Sequence, residues 1–160
     1  MKKFVVWFAL AFPLFAAMPQ ETAVQGFDHW STASLASTAK ELTSAATADP
    51  RHFAVKQLTA YPNEYFLLAH RIGDGQPELH ETEADVFVVQ SGSGTLVYGG
   101  TLNGAETVAP HEKRNGTIQG GTRQKLTAGD IVRIPPRVPH QLLLDGGKEF
   151  TYFVIKVKGY

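Results

Sequence analysis

The sequence predicts an all-β domain, an antiparallel sandwich or barrel, preceded by a short helix or arm. Three observations predict it. From Phe53 to Val157 the apolar residues recur with period two, in short runs such as FAVKQLT, DVFVVQ and EFTYFVIKV. Between the runs lie closely spaced turn residues, among them Asn103-Gly104, Asn115-Gly116 and Gly146-Gly147. Past the N-terminal apolar run, helical spacing occurs only once, before residue 50. With 160 residues and no internal repeat, the chain suits one domain rather than two.

Lys2 and Lys3 precede an uncharged apolar run, Phe4 to Met18, which reads as a secretory signal peptide over residues 1–18. It predicts an exported protein, periplasmic or secreted. The run falls short of the about 20 residues that span a bilayer, and Pro13 interrupts it. Ala16 and Ala17 meet the small-residue cleavage rule only loosely, so the cut is not placed. Next, DHWSTASLASTAKELTSAA puts Trp30, Leu35 and Leu42 at loosely helical intervals. This predicts an N-terminal helical arm over 28–50, capped near Asp28 or Ser31 and ended by Asp49-Pro50.

The β domain takes residues 53–160. Its predicted strands are FAVKQLT, EYFLLAHRI, DVFVVQ, TLVYGG, RQKLTAG, DIVRIP, HQLLL and EFTYFVIKV. Gly92 to Gly94 reads as a turn, and each Asn-Gly pair as a hairpin signal. The stretch between Gly94 and Gly129 reads as a solvated hairpin extension. Its His111, Lys113 and Arg114 leave open a lid or a basic wall for an anionic substrate.

Fifteen basic and fifteen acidic side chains give zero formal charge without long like-charge blocks. No nucleic-acid partner is called for, and no membrane partner once the signal is removed. The absence of cysteine excludes disulfides, thiolate metal sites and cysteine nucleophiles. There is no Gly-x-Ser-x-Gly elbow and no phosphate-cradling glycine loop before a helix.

Two stretches carry the candidate chemistry. PELHETEADVFVVQSGSG, Pro77 to Gly94, runs an acidic, histidine-bearing head into an alternating strand. GDIVRIPPRVPHQLLLD, Gly129 to Asp145, runs a glycine turn and a strand into a proline bend, which sets His140 on stiff backbone. In that order they resemble the two motifs of the cupin family. The second motif matches at Gly129, Pro135 and His140, with Arg137 in place of a glycine and Leu144 in place of an asparagine. In the first, six residues back from Gly92 lies Asp85, where the family has glutamate. With a four-residue gap the two histidine positions become Glu78 and His80; with a three-residue gap they become Leu79 and Glu81. The four-residue register is preferred because it keeps a histidine and three inward donors.

The resemblance covers roughly residues 65–157 and implies a double-stranded β-helix, a jelly-roll barrel whose lumen often holds a metal. Strand alternation puts Glu78 and His80 on one face. If Asp85 and His140 share it, Glu78, His80, Asp85 and His140 form a set of two imidazoles and two carboxylates. That set suits a divalent transition metal, manganese, iron or zinc, without choosing among them. The resulting expectation is an exported metal-binding cupin, a metal-dependent oxygenase, isomerase or lyase acting on a small molecule. A non-catalytic small-molecule or sugar-binding module, or a structural dimeric barrel, stays open. A homodimer is implied by the resemblance alone.

His70, in phase with Phe66, Leu68 and Ile72, reads as a buried histidine held by backbone, with a lumen group as the alternative. Tyr98, Tyr152 and Phe153 read as core.

Overall fold

A computed structural model describes residues 24–146 and 148–160; the signal segment predicted for residues 1–18 lies outside the described residues. Among the described residues one helix, α1 (Thr32–Ala48), precedes twelve strands. Its N-cap is Ser31, whose side chain accepts the Ser34 N–H at 3.1 Å.

The hairpin β1 (Phe53–Ala60) and β2 (Glu64–Arg71) turns at Pro62-Asn63 and opens a curled antiparallel sheet. The long strand β4 (Glu83–Tyr98) crosses the whole molecule, and the last strand, β12 (Phe150–Lys158), lies between β2 and its first half. β10 (Ile131–Ile134) closes the far edge of this first sheet. The second half of β4 belongs to the other sheet, between β9 (Thr122–Thr127) and β11 (His140–Leu143). β3 (Glu78–His80) then pairs with β11. The result is a jelly-roll barrel of two sheets that share one strand.

The expected turn at SGSG is absent: β4 runs unbroken through it. The residues bend the strand instead. Gly92 has φ +81°, and a Cβ there would collide with the Glu149 carbonyl oxygen. Two residues earlier the register with β12 slips, because Val89 faces Tyr152 while Ser91 faces Thr151, leaving Gln90 as a bulge.

The Asn-Gly pairs also do something other than turn hairpins. β5 (Thr101–Asn103) pairs with β8 (Thr117–Gln119), and β6 (Glu106–Ala109) with β7 (Glu112–Arg114), so residues 95–127 form one long ribbon. Asn103-Gly104 and Asn115-Gly116 lie opposite each other as a paired kink, where a Cβ on Gly116 would strike the Asn103 carbonyl. The ribbon turns at Pro110-His111 and folds back so that β7 pairs with β3. Its tip, β6 and β7, thus joins the second sheet, whereas β5 and β8 form a separate, mostly exposed two-stranded sheet, so the expected solvated extension holds for the middle of the ribbon and not for its tip.

The core fills the barrel interior, with Phe87, Val89, Leu96, Leu126, Leu142 and Phe150 each at most 4 % exposed. β2 and β12 are apolar on both faces because both faces are covered. On the outside, Trp30 lies 5.2 Å from the Phe66 ring and 5.3 Å from Phe153, and α1 buries Leu42 and Ala46. Phe153 thus faces the helical arm, whereas Tyr152 faces the lumen.

Candidate functional site

The proline bend places His140 first. It begins β11, directly opposite Glu78 of β3 and Tyr98 of β4, and is 2 % exposed. Its Nδ1–H donates to the Val138 carbonyl at 3.0 Å, which fixes the ring and turns Nε2 into the lumen. Arg137, standing where the family motif has glycine, adopts φ 63° and donates its N–H to the His80 carbonyl at 2.8 Å. The bend is therefore tied to the strand that carries the other histidine.

Glu78 and His80 point inward from β3. Glu81 points out, meeting His111 and Lys113 at 3.3 Å. The structure thus brings the four predicted residues together. His140 Nε2 lies 3.5 Å from Glu78 Oε1 and 3.4 Å from Asp85 Oδ2, and His80 Nε2 lies 3.6 Å from Asp85 Oδ2. Glu78, His80 and His140 offer donor atoms all within 4.8 Å of one another, which makes them a possible metal-ion site. His140 Nε2 is buried with no hydrogen-bond partner among the described residues, a lone pair or proton awaiting something. Two imidazole nitrogens and a carboxylate oxygen fit a divalent first-row ion.

Two residues beyond the sequence reading enter the site. Lys156 of β12 stands opposite Asp85 of β4 and is 9 % exposed. Its ammonium lies 2.6 Å from Asp85 Oδ1 and donates to His80 Nε2 at 2.7 Å. Arg114, brought in by the folded-back ribbon, lies 3.1 Å from Glu78 Oε2 and also pairs with Glu112. Lys156 was detectable in EFTYFVIKV as a charge in phase with Tyr152 and Val154. Arg114 was not, because its placement depends on the pairing of β7 with β3.

These contacts set the protonation states of the metal-free site. Burial opposes the charge on His140, but the Asp85 and Glu78 carboxylates outweigh it and hold its pKa up at about 9. Burial likewise works against both carboxylates and is overcome. His140, then Arg114 and Lys156, holds Glu78 well below the usual range, and His140 and Lys156 do the same for Asp85. His80 is pushed down, first by burial and then by Lys156. Without a metal, therefore, two carboxylates face the His140 imidazolium and the Lys156 ammonium.

One side of the cluster is open. A cavity of about 120 Å³ adjoins Glu78, Asp85 and Lys156, with Phe53, Leu67 and Val154 on its apolar wall. It shares Phe53, Arg71 and Arg114 with an outer cleft of about 280 Å³. His70, by contrast, faces outward from β2 and bonds the Thr151 hydroxyl at 2.8 Å, not backbone.

No family model matches the chain, and no curated protein does. Solved structures do. A protein from Thermotoga maritima described as a predicted oxalate decarboxylase is similar at TM-score 0.50 and 11% identity, over 67% of this chain and 81% of that one. A double-stranded β-helix protein from Klebsiella pneumoniae gives 0.49 at 18% identity, over 67% and 77% of the two chains. An RmlC-like cupin from Methanocaldococcus jannaschii gives 0.49 at 14%, over 69% and 84%. At these identities the likeness is one of fold, and the fold is the cupin double-stranded β-helix.

Proposed function

We propose that the lumen is a divalent-metal centre at which a small molecule is bound and transformed, with Glu78, His80 and His140 as ligands. The observation that carries this reading is the convergence of those donors beside an open, partly apolar cavity. Glu78 is turned inward, and at this end of the barrel Asp85 and Lys156 share the interior with the apolar side chains. Manganese, iron and zinc all accept these donors, and the bound ion would supply Lewis acidity or oxygen activation. The chain's own groups do the rest. Val138 orients His140, Asp85 anchors the Lys156 ammonium, and Lys156 donates a hydrogen bond to His80 from the cavity wall. Metal uptake requires His140 to release its proton, so binding and deprotonation are coupled.

The rival reading is a metal-free binding barrel. Lys156 favours it, since its ammonium already occupies His80 Nε2 and Asp85 Oδ1. Metal analysis of the purified protein beside His140→Ala and His80→Ala decides between them. The metal reading expects near-stoichiometric ion in the parent and its loss in both variants. A metal-free parent whose uptake neither change alters would overturn it.

Export is proposed from Lys2, Lys3 and the apolar run through Met18. A homodimer is proposed from the resemblance. Intact mass and sizing of protein recovered outside the cytoplasm check both.

A further inference from the structure

The geometry points to a carboxylate-bearing substrate with a short apolar body, received by Arg71. This inference rests on the lumen being the ligand site. Arg71 ends β2 with 7 % exposure, and its guanidinium carbon lies 4.0 Å from the centroid of the Phe53 ring. Nε donates to the Tyr152 hydroxyl at 3.1 Å. Gly75 backs against the group, so closely that a Cβ there would stand 3.1 Å from Cζ and 3.2 Å from Nη1. The guanidinium is thus held in a fitted slot, and a fixed fork is what a carboxylate needs.

What sets Arg71 apart is the lack of an acid. Each neighbouring cation has one: Lys156 has Asp85, Arg114 has Glu78 and Glu112, and Arg51 has Asp49. Among the described residues no carboxylate pairs with Arg71, and neither Nη group has a hydrogen-bond partner. A largely buried cation without a counter-ion is costly, and the face of Phe53 and the hydroxyl of Tyr152 offset only part of that cost. Asp74 also lines the cleft, but its Oδ1 accepts the Leu144 N–H at 2.7 Å.

Arg71 borders both the lumen cavity and the outer cleft, so an entering ligand passes its fork before reaching Glu78. Beyond it the wall is apolar, formed by Phe53, Val55, Leu67 and Val154. A few-carbon carboxylate satisfies both ends: its head completes the ion pair and its body packs on that wall. A divalent ion at the neighbouring donors would add further positive charge and strengthen the same preference.

The test titrates acetate, butyrate and inorganic phosphate into the full chain, with and without zinc, by calorimetry for the parent and each variant, and follows the Arg71 Nε–H resonance in the parent. Saturable shifts with both carboxylates are expected, stronger for butyrate by roughly fourfold per added CH₂. Arg71→Met should weaken butyrate binding at least tenfold with metal content unchanged, and Arg71→Lys should recover only part of it. No saturable shift in the parent, a preference for phosphate, or undiminished butyrate binding by Arg71→Met would overturn the inference. Because the zinc-free arm reads Arg71 alone, the inference can fail while the metal centre stands, and the reverse.

Discussion

Two histidines are buried to the same degree in this protein, and they behave oppositely. His70 is 1 % exposed beneath the helical arm, and His140 is 2 % exposed in the lumen. Each has an Nε2 without a hydrogen-bond partner among the described residues. Yet burial lowers the pKa of His70, with only the exposed Glu149 carboxylate, 3.9 Å away, working against it. The pKa of His140 is held at about 9 by two buried carboxylates. Depth alone therefore says little about what a histidine does; the charges facing its free nitrogen decide. On a barrel those charges are sorted by sheet face, and β2 shows His70 to the helix while showing Arg71 to the lumen.

The largest effect should come from unbalancing the lumen. Lys156→Met leaves Asp85 buried beside one cation fewer, and metal-free stability measured in urea should fall by about 3–5 kcal/mol. Added metal should restore more stability to this variant than to the parent, because a divalent ion replaces the lost charge. Equal metal stabilisation of both would separate Lys156 from the donor set.

His140→Ala comes next. Removing a ligand should weaken metal binding by at least about 100-fold, equivalent to about 2.7 kcal/mol. His70→Ala should leave metal affinity unchanged in the same titration, since its ring faces the other side of the sheet.

The pH dependence of metal-free stability sharpens the contrast because the two signs differ. His140 has a raised pKa, so its contribution is full below its ordinary 6.5 and is lost as pH rises through about 9. His70 has a lowered pKa, so its contribution is present above 6.5 and is lost as pH falls below that value. Urea midpoints measured from pH 5 to 9.5 should lose their alkaline decline in His140→Gln and only part of their acid-side decline below 6.5 in His70→Gln, the remainder coming from His80, whose pKa is also lowered. The smallest effect should be the cost of the Thr151 hydrogen bond, about 1 kcal/mol for His70→Leu at pH 8.

The barrel and His140 were legible because both are local. Alternation, turn residues and a proline bend act within a few residues, and the second motif carries them in order. The register of Glu78 and His80 was legible through its spacing from Asp85. Lys156 and Arg71 were half legible: each is a charge in phase with apolar neighbours, Val154 for one and Leu67 and Ala69 for the other, a pattern that marks a polar group on an inward face. Arg114 was hidden because it reaches Glu78 only through a ribbon that kinks at its paired Asn-Gly positions and returns to β3. SGSG was misread since glycine supplies positive φ to a bend as readily as to a turn, and only the second sheet reveals which is needed.

The bulge at Gln90 has a consequence in parity. Before it, the inward residues of β4 are the odd ones, Asp85, Phe87 and Val89; beyond the bend, Leu96 is the inward one, opposite Leu142. A strand that kept strict alternation would deliver Thr95 and Val97 to the core and turn Leu96 to the outside. One uncounted residue changes the phase, so a single strand holds an acid to the lumen in one sheet and a leucine to the core in the other. Deleting it would leave either half correct, but not both.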